Sequence, residues 1–87
     1  MSKIVDTVSE IIEPIINELG FELVDVEFLK EGSDWFLRVY IDHEEGINID
    51  NCADVSRAIG KKLDEVDPVT QEYYLEVSSP GLERRQG

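Results

Sequence analysis

Apolar and polar positions follow two different periods along this chain. Ile4, Val5, Val8, Ile11, Ile12, Ile15, Ile16 and Leu19 recur at steps of three and four. That spacing predicts one amphipathic helix over about residues 3–19, with a broad apolar stripe. Ser2 is read as its N-cap, and Gly20 stands where a left-handed C-terminal cap belongs. Pro14 interrupts the run. Inside a helix a proline removes one backbone hydrogen bond and costs on the order of 3 kcal/mol. Because apolar positions continue on both sides of it, a single kinked helix is expected, its stripe wrapping a twisted sheet.

From Phe21 the period drops to two. A first strand is predicted from Phe21 to about Leu29, with Val24, Val26 and Phe28 on its dry side and Asp25, Glu27 and Leu29 on the other. A short polar turn, Lys30 to Asp34, leads to a second strand from Trp35 to Asp42. There Leu37, Val39 and Ile41 take the core side and Phe36, Arg38 and Tyr40 the outer side, so the two strands form a hairpin. After the loop Asp42–Gly46 a second helix is expected from residue 49 or 51 to 64, capped by Asn48 or Asp50. Cys52, Val55, Ile59 and Leu63 mark its buried face, and Gly60 lowers its propensity by about 1 kcal/mol. A loop containing Pro68 precedes the last strand, from about Glu72 to Ser78. That strand is expected to stop at a type II turn. Pro80 fixes its own φ, Ser79 is pushed into an extended shape, and Gly81 accepts a positive φ.

The order is αββαβ. Two amphipathic helices over three strands make an α+β fold in two layers, with both helices on one face of the sheet. If the last strand joins the second by a right-handed crossover, the sheet is mixed. If it joins the first, the sheet is antiparallel. The pattern leaves both open.

Eighty-seven residues make one domain, and a chain of this size buries about 60–65% of its unfolded surface. The single cysteine excludes an internal disulfide and any multi-cysteine zinc site. No apolar run approaches the ~18 residues of a membrane span. The N-terminus, which carries Asp6, Glu10, Glu13 and Glu18, is not a signal peptide. Twenty acidic residues stand against eight basic ones. Such a surface repels phosphate backbones and attracts basic partners. For an arbitrary acidic domain it signifies no more than solubility.

Candidate chemistry is thin. Asp42, Glu44, Glu45 and Asp50 put four carboxylates in one loop. Hard cations want such oxygens, but Ile47 stands where an EF-hand requires glycine, so a solvated acidic loop is expected. His43 is read as an exposed loop histidine without an orienting carboxylate or a nucleophile. Ser78 and Ser79 lie in no nucleophile elbow. Cys52 falls on an apolar helical face, where it behaves as a small hydrophobe. No catalytic residue, metal or cofactor is expected. The rival from another class is a KH-like RNA-binding module that uses the outer sheet face, since the layout is similar. KH domains clamp the backbone with a GXXG loop, which this chain lacks. Its basic pair, Lys61-Lys62, is flanked by Asp64 and Glu65. Phe36 and Tyr40 have the chemistry to stack bases, and equally to pack around Arg38 or against a second domain. Packing is the favoured reading.

Residues 74 to 84, Tyr-Leu-Glu-Val-Ser-Ser-Pro-Gly-Leu-Glu-Arg, resemble the signature of the RimP family of bacterial ribosome maturation factors. Glu13-Pro14, Gly20 to Glu27 and Leu63-Asp64 are similar to the N-terminal half of that family in the same order. The resemblance implies an N-terminal domain over residues 1–82, with residues 83–87 starting a linker to a second, small β-barrel domain. Family members usually read Arg-Pro-Leu after the turn, where this chain has Arg84-Arg85-Gln86. Also implied is a non-enzymatic, cytoplasmic role in maturation of the small (30S) ribosomal subunit. The implied partners are the small-subunit precursor and a basic small-subunit ribosomal protein. The domain is expected to be a monomer, to bind no membrane and not to bind RNA directly by itself. Glu22, Asp25, Glu27 and the outer-face Arg38 are the residues expected to contact or steer the partner. Ser78, Ser79, Pro80, Gly81, Leu82, Glu83 and Arg84 are expected to set the geometry toward the second domain. The strand carboxylates read equally well as the wet side of a sheet.

Overall fold

The structure is a computed structural model that describes residues 3–80. Its elements are α1 (Lys3–Glu18), β1 (Glu22–Glu31), β2 (Asp34–Asp42), α2 (Ile49–Val66) and β3 (Tyr74–Ser78). α1 is one helix that runs through Pro14. Val8, Ile12 and Ile16 of its stripe are fully buried. Its end is a complete Schellman motif. Gly20 takes φ +93, its N–H donates to the Asn17 carbonyl at 3.0 Å, and the Phe21 N–H reaches back to the Ile16 carbonyl at 3.0 Å. Leu19 falls beyond the helix and is 45% exposed, so it leaves the predicted stripe.

β1 and β2 form an antiparallel hairpin from Glu22↔Asp42 to Glu31↔Asp34. The connection is tighter than the predicted five-residue turn, with Gly32 and Ser33 alone between the paired ends. Gly32 carries φ +64, in the place that a type II′ turn reserves for glycine. The alternation predicted for β2 holds along its length, since Leu37, Val39 and Ile41 are fully buried. In β1 it does not. A register shift between Leu23 and Asp25 inserts an extra residue, as a β-bulge does. Leu23 therefore shares the core side with Val26 and Phe28, while Val24, expected in the core, is 49% exposed.

α2 starts one residue after Asn48, which settles the choice of cap. Asn48 Oδ1 accepts from the Asn51 N–H at 2.8 Å, and Asn51 Oδ1 accepts from the Asn48 N–H at 3.0 Å, a reciprocal capping box. Cys52, Val55, Ile59 and Leu63 line its buried side as the spacing predicts. The helix continues two residues past the expected end and stops at Asp67, which adopts the left-handed conformation with φ 54. Glycine dominates this position, but a short aspartate side chain also tolerates it. β3 begins at Tyr74, later than expected, and pairs parallel to β2. The sheet order is β1-β2-β3, a mixed sheet with β2 in the centre. Both helices pack on one face and share a core with Val26, Leu37, Val39 and Ile41, which Ile47 and the loop residue Val69 complete.

Candidate functional site

The other face of the sheet carries the polar phase of all three strands. The register stacks side chains in rows across it: Leu29, Phe36 and Tyr74; Glu27, Arg38 and Glu76; Asp25, Tyr40 and Ser78. Opposite residues in neighbouring strands are the pairs that interact in a sheet. Arg38 stands at the centre of this face and is the one cation among its described strand positions. Its Nε donates to Glu76 Oε1 at 2.8 Å and its terminal nitrogen to Glu31 Oε1 at 3.1 Å. The hydrogen bond to Glu76 raises the guanidinium above its ordinary pKa. Burial opposes that rise, and Glu31 adds to it. The same guanidinium lies 5.4 Å from the centroid of the Phe36 ring, within cation–π range. Phe36 in turn lies against Tyr74, ring centroids 5.6 Å apart. Phe36 thus packs against both Arg38 and Tyr74.

The residues predicted as a partner site reach this face separately. Glu22, opposite Asp42, is exposed at one end of the hairpin. Asp25 sits at the bulge and uses one carboxylate oxygen to accept the Val26 N–H at 2.8 Å. Glu27 lies across from Arg38 but accepts from the Tyr40 hydroxyl, at 3.2 Å. The structure therefore brings Glu22, Asp25 and Glu27 along one strand and Arg38 beside them, with the arginine engaged by Glu31 and Glu76. Those two partners, and Tyr74 in the aromatic row, are not among the residues expected from the sequence to form the site. Their signal is the strand phase, since Tyr74 and Glu76 alternate with the half-buried Leu75 and Val77. A shallow depression of about 270 Å³ lies between Arg38, Tyr40, Glu76 and Ser78.

At the end of β3, Ser78 is half-buried and Ser79 fully buried. The type II turn expected at Pro80-Gly81 rests on Gly81, which lies outside the described residues, as do Leu82, Glu83 and Arg84. His43 is half-buried rather than fully exposed. Its ring meets Phe21 edge-on at 5.5 Å, and its Nδ1 accepts the Glu45 N–H at 3.0 Å. That bond gives it a local structural role. Burial pushes the Cys52 thiol up in pKa, as for a small hydrophobe in the core.

Among the described residues no group of three or more histidine, cysteine or acidic side chains is placed to hold a metal ion. No described helix is long and apolar enough to cross a membrane. What the outer face offers is a field of carboxylates around a neutralised arginine, with apolar aromatic surface beside it. That chemistry suits contact with another macromolecule more than a reaction at one atom. Residues 11–83 match the RimP N-terminal domain family, a span that runs from the middle of α1 through all three strands and holds every outer-face residue described above, and the chain accordingly belongs to this family of ribosome maturation factors.

Proposed function

We propose that this domain acts without catalysis in maturation of the small (30S) ribosomal subunit, and that the outer sheet face receives a basic ribosomal protein on the subunit precursor. The observation that carries the reading is the row structure of that face. Glu22, Asp25 and Glu27 line β1, and the one central cation, Arg38, is held by Glu31 and Glu76. The face therefore keeps a net negative field, which attracts a basic partner from a distance and opposes bare phosphate. The formal charge of −12 supports the same direction. In this reading Arg38 holds the two flanking strands in register, and the carboxylates steer the partner. Residues 1–82 form the domain, which works as a cytoplasmic monomer. Residues 83–87 begin a linker to a second domain, with Ser78 to Arg84 setting its direction.

The test is a pull-down with this chain, and with a version extended by the second domain, against dissociated small subunits. Enrichment of a basic small-subunit protein without bare RNA supports the reading, with the longer version binding more tightly because a second tethered contact raises avidity. Recovery of RNA alone, with no ribosomal protein, would refute it.

A further inference from the structure

We propose that a second surface, the groove between the C-terminal half of α2 and the start of β3, docks an extended basic peptide segment that carries one apolar anchor. The groove measures about 700 Å³, within the ~300–1,000 Å³ range typical of ligand sites. Its lining includes three half-buried side chains with apolar surface, Trp35, Tyr73 and Leu75, with the fully buried Leu63 behind them. Gly60 also lines it, and a Cβ there would meet Leu75 Cδ2 at an ordinary 3.5 Å. Trp35 is held in place by stacking on Phe28, ring centroids 4.7 Å apart.

The rim identifies the occupant. Asp34, Asp64, Asp67 and Glu72 border the groove, all exposed, and no lysine or arginine is among its lining residues. Asp64 and Asp67 act on Tyr73. Burial is the main cause of the raised pKa of the Tyr73 phenol, and the charges of Asp64 and Asp67 add to it. Half-buried apolar side chains inside an acidic rim complement a short segment with lysines or arginines flanking a leucine-like side chain. The apolar group gains by leaving water, and the flanking cations supply specificity. An acidic segment is repelled by the rim, and a purely apolar one leaves the rim carboxylates without partners. This proposal stands apart from the outer-face reading, because it uses different carboxylates.

Trp35 is the only tryptophan, so its fluorescence reports occupancy directly. The experiment titrates the chain with the blocked peptide Lys-Lys-Leu-Lys-Lys, with its glycine-for-leucine counterpart and with Glu-Glu-Leu-Glu-Glu, while amide NMR shifts locate the contact. The expected result is a saturable change for the first peptide, binding at least tenfold weaker for the other two, and shifts centred on Thr70, Gln71 and Tyr73. Neutralising Asp64→Asn with Asp67→Asn removes two exposed ion pairs and is expected to weaken binding about tenfold. Asparagine keeps the left-handed cap at residue 67 accessible, so the fold is retained. Glu22→Gln with Glu27→Gln is expected to leave this binding unchanged, which separates it from the outer face. An unresponsive Trp35, equal binding of the glycine peptide, shifts centred on β1 instead of the groove, or tighter binding of a single-stranded RNA oligomer would each overturn the proposal.

Discussion

Replacing Ile12 and Ile49 in turn by alanine makes the same chemical change in two opposite environments. Ile12 lies in the middle of α1 and is fully buried, at the meeting of both helices with the sheet. Ile49 opens α2 and is 72% exposed. At Ile12 three carbon groups leave a packed core. At about 0.8 kcal/mol each, transfer alone costs about 2.4 kcal/mol, and the cavity left behind brings the total into the ~2–5 kcal/mol range. A domain of this size has a total stability of about 4–13 kcal/mol. The loss is therefore a large fraction of the whole, and about 3 kcal/mol lowers Tm by roughly 12–24 °C. At Ile49 little apolar surface returns to water and alanine is the better helix former, so the change stays within about 0.5 kcal/mol. Urea unfolding of both variants, followed by circular dichroism, measures the contrast. Equal midpoint shifts for the two variants, or an unmoved midpoint for Ile12→Ala, would refute the packing described for α1.

Other perturbations test other parts of the structure. Asn48→Ala removes half of the reciprocal cap of α2 and is expected to cost about 1 kcal/mol, read from the same unfolding curves. Gly60→Ala is expected to stabilise by up to about 1 kcal/mol, because the added methyl meets Leu75 at an ordinary 3.5 Å and the helix interior gains propensity. Cys52 and Tyr73 both have their pKa raised in the fold, above the ordinary 9.0 and 10.0. Below those values both states keep the proton and these groups contribute no pH dependence. Above them the unfolded chain ionises first, so stability falls as pH rises until the folded groups titrate too. The midpoint should therefore drop on the alkaline side, and less so in Tyr73→Phe; a rise would contradict the assigned burial.

Much of this fold is legible from period alone. The α1 stripe, the strict alternation of β2 and the buried face of α2 all follow from side-chain geometry at 3.6 and 2 residues per repeat. Local chemistry also announces Gly20 as a cap. The bulge in β1 is hidden because Val24 continues an apparent alternation, and nothing in its neighbours says that Leu23 will pair with Ile41 instead. The end of α2 is hidden because Asp67 does a glycine's work. Strand order depends on where a crossover lands, which local pattern does not encode. For the candidate site, the outer face itself is legible: Asp25, Glu27 and Arg38 appear at the right phase. The pairing of Arg38 with Glu76 is not, since Glu76 lies 38 residues away in sequence and meets it only once β3 is set beside β2.

The proposed role of the outer sheet face is electrostatic docking of a basic ribosomal protein. Its most direct test is the association rate of the chain with that protein across a salt series, beside a Glu22→Lys, Glu27→Lys variant. At about 0.15 M salt exposed charges more than ~8 Å apart are largely screened. Association should slow steeply with salt, and be slower in the variant while its unfolding midpoint barely moves, with single-stranded RNA bound more weakly than the protein throughout. Tighter binding to single-stranded RNA, lost on Phe36→Ala or Tyr40→Ala, would contradict it and assign the face to base stacking.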